Sequence, residues 1–314
     1  MSPGVFFDRE TFGEDRLVSG NPVAGGFAGT PGGGENTRSI DEFVGLIPMS
    51  PEAKGQLRTL FATPEDYLNG KSKEEKIAYL KRTSYRDYLI KNAGLGKEAA
   101  QYFQQRSCDF MALGADAIPS FDALSAGYPG FAGLGVAPEN EAELNEPYIY
   151  HFPDGNASIA RLLVRRLIPD AAPGHTMNDI VLADLDYSKL DLPNSFIRLR
   201  LNSTAVSLRQ DHEGVEVGYA ANGKLRRIMA RRSILACYNM IIPVLMPDLP
   251  KEQKAALRLG VKAPLVYANV AIRNWRPFIK LGVHEVYCPS AFFSPGQARL
   301  PRNAWRLSES AQPR

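Results

Sequence analysis

The sequence predicts a mixed α/β (α+β) fold, and three observations carry this prediction. Residues 39–112 contain repeated helix-start signals, and residues 190–237 contain short alternating apolar runs that are typical of β-strands. Between these regions, a Pro-Asp-Gly-Asn turn at 153–156 leads directly into an apolar pattern with helical spacing. A chain of 314 residues is long enough to form two domains with substantial cores.

Composition narrows the class of protein. Hydrophobic residues make up 44% of the chain, charged residues 23%, and the formal net charge of +3 is spread along the sequence. We therefore expect a globular protein with no nucleic-acid partner. The three cysteines are widely spaced, so we expect neither a metal site nor a disulfide framework. There is no signal-like segment and no apolar run of about 20 residues, which predicts a cytoplasmic chain without a membrane span.

Residues 1–38 form a glycine-rich first segment with little periodic pattern, and we interpret residues 20–37 as a surface loop. Residues 39–148 form a helical and loop region. Ser50-Pro51, Thr63-Pro64 and the Ser72–Glu75 capping box each predict a helix start. The loop at 113–148 is rich in glycine and aromatic residues. It either forms the wall of a flat ring or of a substrate channel, or is an ordered connector, and its candidates for contacting a substrate are Asp116, Asp122 and Tyr128.

The turn at 153–156 and the helix behind it form the first candidate site. Gly155 lets backbone approach a ligand closely, and the helix start offers N–H donors to an anion. The alternative for Asp154 and Asn156 is helix capping without a ligand. His151 is either a proton shuttle or a structural histidine.

Strands are expected at 196–201, from Thr204, from Val215 and at 224–230, with Asn222-Gly223 as a type I′ hairpin turn. The run SILACYNM (233–240) predicts a short buried strand that turns into a helix, with Ala236 and Cys237 at its carboxyl end. A β-meander before a last parallel strand is an elaboration of doubly wound nucleotide-binding domains, in which ligands bind at the carboxyl ends of the strands.

Four stretches carry a family resemblance: YHFPDGNASIARLLVRRLIP, LNSTAVSLRQDHEGVEVGY, RRSILACYNMIIPVLMPDLP and PLVYANVAIRNWRPFIKLGV. They resemble the flavin-containing amine oxidoreductases, and most closely the bacterial spermidine dehydrogenase-like branch. The resemblance covers roughly residues 3–294. It implies a partial FAD/NAD(P)-binding Rossmann-like domain and a substrate domain with a mixed sheet and a helical region. The implied reaction is hydride transfer from an amine C–H to FAD, with a polyamine such as spermidine as substrate.

We expect cofactor contacts by three groups of residues, of which the resemblance itself places Ala205 and Ala236. The groups are the turn Pro153, Asp154, Gly155 and Asn156, the strand residues Ala205 and Val206, and the strand end with Ala236, Cys237, Tyr238 and Asn239. Tyr238 and Asn239 either face the flavin or are ordinary residues of a first helical turn. The candidate catalytic positions are His151, from its place before the turn, and Asn269; many relatives carry a lysine near flavin N5, and the resemblance places Asn269 at that position. That substitution favours a dehydrogenase that passes electrons to another acceptor, whose identity stays open. Some relatives also hold a haem, for which no residue here gives support, and export of longer relatives stays open.

The chain departs from the family pattern in lacking a GxGxxG fingerprint, and residues 294–314 have no strand or helix pattern. We therefore expect an internal piece of a longer enzyme. Its predicted organisation is a first segment (1–38), a helical and loop part (39–148), an FAD-domain remnant (149–245), substrate-domain strands (246–293, including 264–272 and 284–288) and an irregular tail (294–314). The alternative to the dehydrogenase is a non-catalytic remnant or interaction module that does not bind FAD alone.

Overall fold

The computed structural model describes residues 1–23, 38–137, 152, 154–293 and 296–297, and it has a mixed α+β architecture. The strands are β1 (Ser2–Phe7), β2 (Arg16–Ser19), β3 (Ser203–Gln210), β4 (Val215–Ala221), β5 (Lys224–Ala230), β6 (Val283–Tyr287) and β7 (Gly296–Gln297). The α-helices are α1 (Arg9–Phe12), α2 (Ile40–Leu46), α3 (Pro51–Ala62), α4 (Lys73–Leu80), α5 (Tyr85–Lys91), α6 (Lys97–Gln101), α7 (Cys108–Met111), α8 (Ser120–Ser125), α9 (Ala157–Leu167), α10 (Ile242–Leu245), α11 (Lys251–Arg258) and α12 (Arg276–Leu281). Short 3-10 helices lie at Pro169–Ala171, Asp179–Leu182, Tyr187–Lys189 and Asn239–Ile241.

The chain divides into two compact units. Unit 1 comprises Met1–Tyr150 and Ala263–Pro301, and unit 2 comprises His151–Lys262 and Arg302–Arg314. Unit 1 is therefore discontinuous in sequence, because residues 151–262 of unit 2 lie between its two segments.

The sheet of unit 1 has the strand order β2-β1-β6-β7. Strand β1 pairs antiparallel with β2 and parallel with β6, which brings Ser2 beside Val283. Residues 1–38, in which the sequence shows little periodic pattern, contain both β1 and β2. Val5 and Phe7 are fully buried on one face of β1, and on the other face Gly4 is buried and Phe6 is half-buried. Because both faces are covered, the strand lacks the alternation of apolar and polar residues that would have predicted it. The predicted surface loop at 20–37 lies largely outside the described residues.

Two of the three helix starts predicted in residues 39–112 are confirmed. Ser50 caps α3 with Pro51 at its first position, and Ser72 and Glu75 form a complete capping box at α4. Ser39 and Glu42 form a second capping box, at α2. The predicted helix start at Thr63-Pro64 was wrong, because α3 ends at Ala62 and Thr63 is its C-cap.

The core of unit 1 is rich in aromatic residues. Tyr85, Tyr88 and Tyr102 are fully buried, and Tyr88 stacks on Phe131 with ring centroids 4.9 Å apart. Tyr287 of β6 also belongs to this core, and its hydroxyl donates a hydrogen bond to the Tyr102 carbonyl oxygen at 2.6 Å. The core therefore joins the helical region to the sheet.

Three side chains from helices α4 and α5 hold the connector that follows α8. The hydroxyls of Tyr85 and Tyr88 donate to the carbonyl oxygens of Pro129 (3.0 Å) and Gly130 (2.6 Å). The Lys76 ammonium donates to the Leu134 carbonyl oxygen at 3.0 Å and pairs with Asp66. These bonds satisfy carbonyl groups that the irregular backbone leaves without a ladder partner.

Unit 2 contains an antiparallel sheet of order β3-β4-β5 and two small apolar clusters. Asn222 and Gly223 both have positive φ (+52° and +71°), which confirms the predicted type I′ hairpin between β4 and β5. One cluster groups Ile168, Ala171 and Leu190, and the other groups Leu208, Val215 and Leu245. The second cluster packs α10 on the sheet.

Helix α9 packs through its arginines. Arg165 is buried and donates to Asp179 and to the carbonyl oxygens of Pro173 and Thr176, while Arg161 donates to the carbonyl oxygens of Val181 and Ala183. Val164 packs beside them on a buried cluster, whereas three other apolar residues of α9 lie on the side opposite the arginines. Ile159, Leu163 and Leu167 are 48%, 60% and 53% exposed, and their spacing of four residues forms one stripe, which we call the α9 stripe.

Three further strand predictions were wrong. Residues 196–201 and 264–272 are irregular and largely exposed, and residues 233–237 form no strand, with Ile234 92% exposed. A strand of this kind needs a neighbouring strand that accepts its backbone hydrogen bonds. In the described part of unit 2, all named strands belong to the meander β3-β4-β5, and 233–237 pairs with none of them. The predicted strand at 284–288 is confirmed as β6.

Candidate functional site

The turn before α9 has the backbone that the sequence predicts. Gly155 has φ +75°, a conformation that favours glycine, and its N–H donates to the Phe152 carbonyl oxygen at 2.9 Å. Asn156 occupies the N-cap position of α9 without a side-chain capping bond. The turn is therefore a tight one, and a Cβ added at Gly155 would meet open space.

Polar groups of this turn are already engaged with the helix. The Asp154 carboxylate accepts a hydrogen bond from the Ser158 hydroxyl and lies 3.5 Å from the Arg161 guanidinium. The backbone N–H of Ser158 donates to the Gly155 carbonyl oxygen at 3.2 Å. Asp154 thus has a structural role at the start of α9, and the donors left for a ligand are fewer than the sequence suggests.

Ala205 and Val206 lie at an irregularity in β3. Ala205 pairs with Tyr219 and Ser207 pairs with Gly218, so that Val206 is an extra residue in the ladder, as in a β-bulge. Both residues are exposed. Bulges are common beside binding sites because they redirect side chains and free backbone groups.

Residues 236–239 connect the irregular segment after β5 to the 3-10 helix that precedes α10. All four are exposed, and the Lys262 ammonium lies 5.7 Å from the centre of the Tyr238 ring. Because 233–237 form no strand, Ala236 and Cys237 do not lie at the carboxyl end of a parallel strand, which corrects the sequence prediction.

Two of these groups lie next to residues of one apolar cluster in unit 2. Leu208 of β3, two residues after Val206, packs with Leu245 of α10, and Leu235, just before residues 236–239, packs against the same cluster. The turn at 154–156 precedes α9, whose Val164 packs on the other cluster. His151 and Pro153 lie outside the described residues. Asn269 is exposed, in an irregular segment of unit 1.

The aromatic loop candidates are part of the core of unit 1. Tyr128 and Phe131 are buried, and Tyr128 donates from its hydroxyl to the Arg106 carbonyl oxygen at 3.0 Å. Burial raises the pKa of Tyr128 to about 12. Asp116 accepts a hydrogen bond from Gln104 at 2.6 Å. These contacts favour the interpretation of the loop after residue 113 as an ordered connector over its interpretation as the wall of a bound ring.

Unit 2 contains a pocket of about 520 Å³ that is lined by three arginines, Arg198, Arg200 and Arg226. This pocket was not predicted from the sequence. The signal available in the sequence was the Arg-x-Arg spacing in residues 196–201, which we interpreted only as strand alternation.

Comparison with known proteins assigns no family. No protein-family model and no curated protein matches this chain. Within the residues that the structure describes, there is no group of three or more His, Cys, Asp or Glu side chains placed to hold a metal ion. Over the same residues, no helix is both long and apolar enough to cross a membrane.

Proposed function

We propose that this chain is an FAD-dependent amine oxidoreductase of the spermidine dehydrogenase-like type, with a polyamine as substrate. The observation that carries the proposal is the arrangement of residues 201–245. A hairpin meander with an irregularity at Ala205–Val206 is followed by residues 236–239 and by a helix that packs on the same sheet. The family resemblance expects its cofactor-contacting residues in that order along the chain.

FAD would supply the redox chemistry by accepting a hydride from the carbon next to the amine nitrogen. The described residues fit such a cofactor only in part. Asp154 is engaged with Ser158 and Arg161, and Ala236 and Cys237 lie in an exposed irregular segment. We therefore assign no step of the reaction to any residue of this chain.

The first experiment is a titration of the purified chain with FAD, followed by desalting and a visible absorption spectrum. A retained flavin spectrum that is bleached by spermidine is the expected result. A colourless protein would overturn the dehydrogenase proposal for this chain.

Two glycine variants test the turn. Gly155→Ala and Gly223→Ala each place a Cβ on a left-handed backbone in open space, so their conformational costs are matched. Gly155→Ala should weaken FAD binding about tenfold, the equivalent of ~1.4 kcal/mol, because it distorts the turn that approaches the ligand. Gly223→Ala, at the β4–β5 hairpin, should leave it unchanged. Equal effects would show that the turn at 154–156 does not contact the cofactor.

A second candidate function, an interaction module, is favoured by the α9 stripe. Single exposed apolar residues are common, whereas Ile159, Leu163 and Leu167 form one continuous row. Under this proposal, Leu163→Gln lowers the association of the chain with itself or a partner, as measured by sedimentation. Met177→Gln, at an exposed methionine outside the stripe, serves as the control. An unchanged sedimentation profile for Leu163→Gln, in a sample where the parent chain associates, would contradict this role.

A further inference from the structure

The arginine pocket lies within unit 2, between the segment 187–203 and one end of the sheet. Its lining combines cationic, aromatic, hydroxyl and amide side chains with three leucines, one alanine and a single carboxylate, Asp191. The residues that carry the argument are Asp191, Arg198, Arg200, Tyr219 and Arg226.

Asp191 holds two of the arginines in place. Its carboxylate oxygens lie 2.5 Å from Nε of Arg198 and 3.2 Å from Nε of Arg200. The hydrogen bond from Arg198, reinforced by the charges of both arginines, lowers the pKa of Asp191, so the carboxylate is ionised at neutral pH. One negative charge therefore compensates only one of two guanidinium groups, and each of these groups uses its Nε and keeps further N–H donors.

Tyr219 positions Arg200 from the sheet. Nη1 of Arg200 lies 3.3 Å from the Tyr219 hydroxyl oxygen, and the guanidinium carbon is 5.8 Å from the ring centre. The Arg200 side chain is thus fixed by both Asp191 and Tyr219 before any ligand arrives, which lowers the entropy cost of binding.

Arg226 adds a third positive charge to the pocket. It is the cross-strand partner of Tyr219, so both side chains lie on the same face of the sheet. Arg226 forms no ion pair with any residue that the structure describes. Its neighbour Arg227 points to the opposite face, where it lies 3.5 Å from Glu216.

Three arginines and one ionised aspartate give this pocket a net charge of about +2. That charge repels a polyamine, so the pocket is distinct from any amine site. It matches a dianion, and guanidinium groups bind phosphate oxygens through paired N–H donors. The volume of about 520 Å³ exceeds that of a phosphate ion and leaves room for an organic group beside Tyr187 and Tyr219.

We propose that this pocket binds a phosphate dianion, either as free phosphate or as the phosphate of a small phosphomonoester. The site goes beyond the proposed amine oxidation, and it requires neither FAD nor an amine. Asp191 holds Arg198 and Arg200 in position for the ligand. Arg226 supplies a further positive charge, which no carboxylate among the described residues neutralises.

Calorimetric titration of the whole chain at constant ionic strength tests this site, with inorganic phosphate and phenyl phosphate as probes. We expect saturable binding of at least one probe. Equal affinity for the two would identify free phosphate as the ligand class, and tighter binding of phenyl phosphate would identify a phosphomonoester; both results support the site. Absence of saturable binding of either probe would overturn the proposal.

Neighbouring variants on β5 provide the specificity test. Arg226→Gln should weaken binding by about tenfold or more, because it removes a charge-assisted contact. Arg227→Gln makes the same change of charge on the other face and should alter affinity less than about twofold. Equal losses in both variants would show nonspecific attraction and would also overturn the proposal. Circular dichroism of both variants verifies that the sheet is retained, and Arg226→Lys separates the requirement for charge from the requirement for the guanidinium fork.

Discussion

The connector after α8 should depend on the hydroxyl of Tyr88. In Tyr88→Phe the ring keeps its stacking on Phe131, but the 2.6 Å hydrogen bond to the Gly130 carbonyl oxygen is lost. Removing the donor from a partly buried carbonyl lowers the free energy of unfolding more than removing it from an exposed carbonyl, because water replaces the lost hydrogen bond only incompletely. We expect the free energy of unfolding of unit 1 to fall by about 1–2 kcal/mol.

Urea unfolding followed by circular dichroism measures this change. Tyr67→Phe is the matched control, because the Tyr67 ring also contacts Tyr88 (ring centroids 6.3 Å apart), whereas its hydroxyl makes no hydrogen bond to a residue that the structure describes. The control should change stability by less than about 0.5 kcal/mol. If Tyr88→Phe is as stable as the parent chain, the hydroxyl does not hold the connector and the reasoning is refuted.

Three other predictions concern stability. Gly133→Ala should destabilise unit 1 by about 1–3 kcal/mol in urea unfolding, because the new Cβ would lie 2.5 Å from the Glu65 carbonyl oxygen. Gly55→Ala should instead stabilise unit 1 by about 0.5–1 kcal/mol, because Gly55 lies in the interior of α3 and its new Cβ would meet open space. Burial raises the pKa of Tyr102 to about 12 from 10.0, so the contribution of Tyr102 to stability is full below pH 10 and falls by roughly 3 kcal/mol as the pH approaches 12. Urea midpoints across this range should show a smaller loss in Tyr102→Phe than in the parent chain, and an equal loss would contradict the assignment. The hydrogen bond from Arg165, with further bonds from Thr176, holds the pKa of Asp179 far below its usual range, so Asp179 should contribute a loss of stability in unit 2 as the pH falls below about 4. Asp179→Asn should reduce that pH dependence in an acid titration followed by circular dichroism, and an unchanged acid titration would contradict it.

The elements that could be predicted from sequence are those governed by local chemistry. Ser50 and Ser72 cap helices because their hydroxyls accept backbone N–H groups three residues later. Asn222-Gly223 forms the hairpin because both residues tolerate positive φ. The start of α9 after Asn156 was also predictable, from the turn at Gly155 and the helical spacing behind it, although Asn156 makes no side-chain capping bond.

The elements that could not be predicted depend on distant partners. β1 is a strand because β2 and β6 pair with it from both sides, and β6 lies far along the sequence. Conversely, residues 233–237 and 264–272 have the composition of strands, yet no named strand among the described residues pairs with them. Apolar and β-branched composition describes the tendency of a segment, whereas pairing decides whether a strand forms.

The candidate site shows the same division. The glycine turn at Gly155 and the strand at Ala205 were predictable from the sequence. The hydrogen bond from Ser158 to Asp154 and the ion pair of Asp154 with Arg161 were not. The arginine pocket brings together residues from an irregular segment and from three strands, so no spacing rule in the sequence identifies it. Tyr219, which lines the pocket, is the cross-strand partner of Ala205. That relation follows from the register of β3 and β4, which the sequence does not show.

The parallel pairing of β1 with β6 has a consequence for synthesis on the ribosome. Ser2 bonds to Gly282, which lies 280 residues later, so β1 emerges long before its partner strand has been translated. During that interval one hydrogen-bonding edge of β1 has no native neighbour, and an uncovered edge of this kind recruits other strands. Premature termination anywhere within residues 151–262 would therefore damage unit 1 as well, because it would deprive β1 of β6 and the core of Tyr287. We expect the uncovered edge of β1 in the nascent chain to be open to non-native pairing until residue 287 has left the exit tunnel.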